Sequence, residues 1–412
     1  MPATGQAAIN ERNKVRRGAT MTTLSATETT EARAASKIVS RNAPIDNARS
    51  FLTLVVLLHH AVIPYTFFGH TDAKSFVGFD MIVLATDSFF MAMFFFLSGL
   101  FLWPSLTRKK PSAHLYDRLL RLGLPFVIAI FTIIPLAYYA IELRQNPGMS
   151  FSAFWWRTIT TGPWPSGPVW FIWVLFTFDL IASQLYRFSP RLLDPINRLS
   201  VQAFERPAKF FLVMLAVTAI IYIPGRAYFG PGRWFSFGPF DIQAGRGLFY
   251  MAYFLIGAGI GAANFDRGLL SADGKLAKTS WVWALVALLP YCGMWGLIYV
   301  KREILDNPVW LPHWYEASYG LFFAAFSAAI LFAIMGFFLG SKRPWMLLDR
   351  MQADAYGIFL VHYPIVLWLQ YWLFDYDLPA IVKAAIAFVG SVALSWALTA
   401  ALRQIPGARR VL

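Results

Sequence analysis

Charge is scarce in this chain. Asp, Glu, Lys and Arg make up only 14% of its 412 residues, against about 25% in a soluble domain. Hydrophobic residues account for 58% and aromatic residues for 17%. That balance excludes an ordinary soluble globule and indicates an integral membrane protein. Cysteine is nearly absent: the single Cys292 excludes an internal disulfide and a multi-cysteine metal site. It lies in the apolar run "WVWALVALLPYCGMWGLIYV" and reads as a small hydrophobe. Residues 1–40 lack any apolar run and any signal-peptide core. Their Ala, Thr, Ser, Glu and Arg predict a disordered cytoplasmic tail. No G-x-S-x-G elbow is present, which argues against conventional serine-hydrolase chemistry. The six histidines are scattered with no i, i+4 pair, so no metal site is expected.

What is abundant is apolar sequence in long runs. Ten runs reach the roughly 20 residues that a bilayer requires: 50–68, 79–104, 122–142, 168–188, 208–225, 245–263, 281–300, 316–339, 355–374 and 379–401. With the N-terminus placed in the cytoplasm, 27 of the 36 Lys and Arg fall in cytoplasmic segments and 8 in outside loops, and Lys383 lies within the last run. The positive-inside rule predicts that asymmetry. The expectation is an all-α polytopic membrane protein of about ten transmembrane helices, both termini cytoplasmic. Residues 41–402 form the transmembrane domain and 403–412 a short cytoplasmic tail. The net charge of +14 is then explained by anionic membrane lipids rather than nucleic acid. No internal repeat or soluble domain is visible.

The outside loops are rich in aromatic residues. "FWWRTITTGPWPSGPVWFIW" (154–173) holds five tryptophans, Trp164 and Trp170 among them, and "YFGPGRWFSFGPFD" (228–241) contains Trp234. Two readings stand open. One is an interfacial aromatic belt; the other is a carbohydrate platform, since aromatic faces stack on the apolar faces of sugars.

Polar residues inside the apolar runs are the candidates for chemistry. Arg49 and His60 in "RSFLTLVVLLHHA" are eleven residues apart. On a helix that is about 20° past three turns, so they share a face, separated by about 16 Å along the axis. His59 points about 100° away from His60. His362 in "GIFLVHYPIVLW" is expected at a comparable depth. Asp87 and Asp179 are candidates for orienting a histidine by accepting its second N–H. Each of these polar groups also has a plain structural reading, a hydrogen bond that holds two helices together. In "SLTRKKPSAHLYDRLLR", Arg118 and Arg121 are spaced i, i+3 on one face, where forked guanidiniums suit phosphate.

The order "IDNARSFLTLVVLLHH", "FFMAMFFFLSGLFLW", "RLLRLGLP", "GPVWFIWVL", "GIFLVHYP" resembles the acyltransferase-3 family of integral membrane proteins over most of residues 41–375. The Arg, ten residues, His spacing matches Arg49 and His60, and Arg-x-x-Arg matches Arg118 and Arg121. The "LLHHAVIPY" start and the length are nearest to the glucan-biosynthesis type, which is associated with succinyl groups on periplasmic glucans. The resemblance implies a multi-pass protein of the bacterial inner membrane that moves an acetyl or succinyl group from cytoplasmic acyl-CoA, a co-substrate, to an extracytoplasmic carbohydrate. No bound cofactor is implied. His60 would be a neutral general base with a free lone pair. Arg49, Arg118 and Arg121 would hold the donor, and Asp46, Asp87, Asp179 and His362 would support the site. Trp164, Trp170 and Trp234 would line the acceptor side. Arg226, Arg233 or Arg246 could meet the extra carboxylate of a succinyl group. Three alternatives stay open: an acyl-histidine at His60, a transporter or flippase without covalent chemistry, and the other large family of membrane O-acyltransferases, for which His362 is the candidate histidine.

Overall fold

The structure, a computed structural model, describes residues 42–165, 167–262, 267–308 and 310–411. The predicted tail at 1–40 lies outside them. Prolines punctuate the first span. Pro44 occupies the first turn of α1 (Ala43–Val62), where a missing N–H costs nothing, and Pro64 sits in the single 3-10 turn that closes the span. The helix therefore begins seven residues before the apolar run from 50. Arg49 lies inside the helix rather than at its edge, and His60 in its last turn rather than its middle.

Two helices return along α1: α2 (Val77–Gly99) and the short α3 (Leu102–Arg108). The third crossing is segmented into α4 (Pro111–Arg118), a π-helical turn at Leu119–Gly123, α5 (Leu124–Phe131) and α6 (Ile133–Gln145). π turns are rare and frequent at functional sites. This one lies between Arg118 and the next span and includes Arg121. After α7 (Phe151–Thr160), the chain crosses as α8 (Trp170–Phe188), runs along the basic end as α9 (Asp194–Gln202), and crosses back as α10 (Pro207–Phe229). A hairpin follows, β1 (Trp234–Phe237) and β2 (Phe240–Gln243), with Trp234 opposite Gln243. The remaining helices are α11 (Gly247–Gly261), α12 (Lys275–Lys278), α13 (Ser280–Tyr299), α14 (His313–Gly340), α15 (Met346–Met351), α16 (Ala355–Leu373) and α17 (Ala380–Leu402).

All ten predicted runs are helical, but they are not ten equal spans. Among the described residues eight helices are long and apolar enough to cross a membrane. Of the other two, α11 has only 15 residues. The apolar run of α16 is interrupted by His362, Pro364 and Gln370. Outward faces carry Leu289 (76% exposed), Ile220 (72%) and Val389 (64%), positions that water would disfavour and lipid accepts. Cys292 also faces outward on α13, not into the core. The protein is an all-α polytopic membrane protein.

Helix α1 is the hub of the bundle, packed against α2, α14, α16 and α17. Beside it, α2 and α11 approach so closely that a Cβ at Gly257 or Gly261 would overlap the carbonyl oxygens of Phe96 and Leu100. That is the small-xxx-small mode of intramembrane packing. Gly257→Val should lower stability by about 3 kcal/mol or more, because the obstruction is rigid backbone. Thermal unfolding in detergent checks this, with Gly148→Ala, whose surroundings are open, as the unaffected control.

Candidate active site

A cavity of about 1070 Å³ opens at the basic end of the bundle. Six cations line it: Arg49, Arg108, Lys109, Arg118, Arg121 and Arg409; its acids are Asp46 and Asp117. The surplus of positive charge and the guanidinium forks suit a ligand carrying several phosphates. Arg49 is fixed on the wall by three contacts. Its guanidinium lies 4.5 Å over the Phe101 ring, donates to the Leu97 carbonyl at 3.3 Å and faces Asp46 at 3.5 Å. Lys109 pairs with Asp117 across the mouth. Arg409 arrives from an unexpected direction. In the short tail expected at 403–412, Arg403 binds Asp354 at 2.5 Å and the Ala353 carbonyl at 2.6 Å, and Arg409 lines the cavity.

The histidine beside Asp179 is His114. Asp179 is fully buried on α8, 3.2 Å from Arg118 Nε and 3.7 Å from His114 Nε2. His114 Nδ1 in turn meets Ser105 Oγ at 2.9 Å. One carboxylate thus holds an arginine and a histidine on the same wall. Sequence reasoning passed over His114, whose only signal was its place in the basic segment 105–121.

Three phenylalanines cluster in the cavity lining. Phe94, Phe171 and Phe359 have ring centroids 5.7–6.0 Å apart. Behind Phe359, at 5.8 Å, lies His362, and His362 is 5.4 Å from His60. His362 is fully buried, and its Nδ1 is 2.6 Å from the Phe359 carbonyl. A carbonyl only accepts, so Nδ1 carries the proton and Nε2 keeps its lone pair. His59 is fixed similarly. Its Nδ1 is 2.8 Å from Thr86 Oγ1, whose own proton goes to the Ile82 carbonyl. His60 differs from both. It is half-buried, and its ring makes no hydrogen bond among the described residues. It is held sterically by His362, by His59 at 5.4 Å and by Tyr363 at 5.1 Å. The carbonyl of His60 accepts a hydrogen bond from Gln370 Nε2 at 2.7 Å, which satisfies an orphan acceptor of the last turn of α1.

The tryptophan loops meet this histidine group from the opposite end. Gly167 (φ 47°) rests on Tyr363, the neighbour of His60; a Cβ there would lie 3.0 Å from Tyr363 Cε1. Trp164 packs on Phe131, and Trp170 on both Trp234 and Tyr250. The hairpin is tied to α8 by a Trp173 hydrogen bond to the Asp241 carbonyl at 3.0 Å. Asp87, expected as a partner for a histidine, is instead gripped by Arg246 at 3.0 and 2.7 Å. Arg226 is engaged by Glu316 at 2.6 Å. Neither arginine is free to meet a succinyl carboxylate, and Arg233 lies exposed on the surface.

A multi-helix membrane protein with a polycationic pocket at one end and an unbonded histidine behind it has the layout of a group-transfer enzyme that works inside the bilayer. The family model described as an acyltransferase domain, that of the acyltransferase-3 family, matches residues 42–400. The chain belongs to that family and is a membrane acyltransferase. No curated protein and no solved structure matches it.

The pocket geometry yields a test. Asp179→Asn keeps the shape of the side chain but releases Arg118 and His114. The Michaelis constant for the acyl donor should rise about tenfold, equivalent to about 1.4 kcal/mol, with a smaller change in turnover. Donor titration of the purified variant measures both.

Proposed function

We propose that the protein transfers an acetyl or succinyl group from cytoplasmic acyl-CoA to hydroxyls of an extracytoplasmic glycan, in the manner of a glucan succinyltransferase of the bacterial inner membrane. The observation that carries this reading is the unbonded, half-buried imidazole of His60 lying between the cationic cavity and the tryptophan loops. The phosphates of coenzyme A dock on Arg49, Arg118 and Arg121. The pantetheine arm covers the roughly 16 Å between the level of Arg49 and that of His60, and it passes where Phe94, Phe171 and Phe359 meet. The acceptor enters beneath Trp164, Trp170 and Trp234.

The chemistry follows from one lone pair. A hydroxyl oxygen of the acceptor attacks the thioester carbonyl while a ring nitrogen of His60 takes its proton. The tetrahedral intermediate collapses, the C–S bond breaks, and the leaving thiolate takes the proton back from the imidazolium. Ester and free coenzyme A result, and His60 returns to its starting state. His362 and His59, each committed at Nδ1, keep the His60 ring in place. His362 is too deeply enclosed to meet substrate itself.

General-base assistance is worth about 10²–10⁴-fold, so His60→Ala should lose that much acyl transfer while the protein still assembles in membranes. His59→Ala should lose less than about tenfold, its role being to pack against the active ring. The assay is consumption of acetyl- or succinyl-CoA by purified protein in detergent, which also separates an enzyme from a carrier. Wild-type rates in His60→Ala would overturn the base assignment, and an acyl-histidine trapped by rapid quench would make His60 a nucleophile instead. Mass spectrometry of periplasmic glucans from a deletion strain identifies acyl group and acceptor together.

A further inference from the structure

Two ion pairs inside this bundle are sealed on both sides. Arg226–Glu316 and Lys383–Asp72 leave no more than 10% of either side chain accessible. In Arg246–Asp87 the arginine is equally enclosed, at 9%, yet the aspartate keeps 45% of its side chain accessible. A carboxylate in a transmembrane helix is costly and normally hidden against its partner. Here the partner is hidden and the carboxylate is presented. Arg246 fixes it at three points: both carboxylate oxygens, and the main-chain carbonyl of Asp87 at 3.3 Å. The guanidinium is itself backed by the Phe323 ring at 4.6 Å. Each carboxylate oxygen retains acceptor capacity after this grip.

The depth and the surroundings are informative. Thr86, the preceding residue, is the hydrogen-bond partner of His59, so Asp87 lies at the level of the histidine group. Arg246 immediately precedes α11, and the next turn carries Tyr250. Tyr250 stacks with Trp170 at 5.8 Å and Trp170 meets Trp234 at 5.8 Å, which carries the aromatic wall up to the hairpin. An oriented anionic acceptor joined through Arg246 to the turn that carries these stacked rings offers the chemistry that binds sugars: hydroxyls donate to the carboxylate, and the C–H face of the ring packs on aromatic carbon.

We infer that Asp87, positioned by Arg246 and walled by Trp170, Trp234 and Tyr250, is the hydroxyl-binding subsite for the acceptor and selects a polyhydroxylated ring compound. The inference rests on the acyl-transfer reading above. Asp87 accepts hydrogen bonds from hydroxyls adjacent to the reacting one and so delivers that hydroxyl toward His60. Arg246 is a positioning residue and does not touch substrate.

The test uses the full-length protein purified in detergent, radiolabelled acetyl- and succinyl-CoA, and two probe acceptors: a β-linked glucose tetrasaccharide and glycerol. Glycerol supplies hydroxyls without a ring face. Asp87→Asn should raise the Michaelis constant for the tetrasaccharide at least tenfold and leave that for acyl-CoA unchanged. Trp170→Ala should raise it for the tetrasaccharide but not for glycerol. Quenching of tryptophan fluorescence by the tetrasaccharide gives a second readout, which Asp87→Asn should weaken to the same degree. Trp170→Ala leaves every ion pair intact and decides the matter if Asp87→Asn fails to fold. Unchanged acceptor constants in folded variants would overturn the inference, and so would donor and acceptor constants that rise together with a drop in melting temperature, the mark of a purely structural pair. If the wild type consumes acyl-CoA without acylating the tetrasaccharide, the subsite assignment falls and acyl transfer stands. If it consumes no acyl-CoA, the underlying reading falls and takes the inference with it.

Discussion

A charge inside hydrocarbon must find a partner or water, and that constraint organises this molecule. Lys383 of α17 is joined to Asp72 in the loop before α2, Arg226 of α10 to Glu316 of α14, Arg246 beside α11 to Asp87 of α2, and Arg118 of α4 to Asp179 of α8. Each pair connects elements distant in the chain. The partners are hard to exchange, since removing one leaves an uncompensated charge in a medium that cannot solvate it. The glycine seam between α2 and α11 then sets how closely those two helices lie. Once the polar groups are matched in this way, the unmatched ones stand out. The His60 ring is the clearest of them.

The histidine group extends the same logic to neutral groups. A buried imidazole has two nitrogens to satisfy, and a hydrogen bond at one fixes the state of the other. His362 and His59 each spend Nδ1 on a partner from the same or the neighbouring helix. His60, between them, spends neither nitrogen among the described residues. Two committed neighbours hold one uncommitted ring, and the backbone beneath that ring is held by Gln370, whose own carbonyl is bound by Arg144 at 2.9 Å.

Much of this was legible from residue spacing, because spacing within one helix is local geometry. The shared face of Arg49 and His60 follows from eleven residues at 3.6 per turn, and the all-α polytopic architecture from hydropathy, although eight rather than ten helices among the described residues are long and apolar enough to cross. The start of α1 was misjudged because Asp46, Asn47 and Arg49 interrupt the apolar pattern of a helix that Pro44 nonetheless opens. Asp179 and Asp87 were recognised as costly residues, but the arginines that hold them were not foreseen. Arg118 and Arg246 reach them from other helices, and no periodicity reports which distant residue a side chain will meet. His114, Arg409 and the three phenylalanines were missed for that reason. Each is ordinary in its local sequence and becomes part of a wall only when the helices assemble.

The three-ring wall bears on more than the path of a substrate. A protein with a wet, cationic vestibule at one end and accessible polar groups at the other is only a short step from being an ion channel. Phe94, Phe171 and Phe359 lie together in the cavity lining on the side of His362, and they offer an ion no ligand in exchange for its hydration shell. On the proposed reading, an acyl arm slips past these rings with its own apolar surface, where a hydrated ion would have to shed its water for nothing.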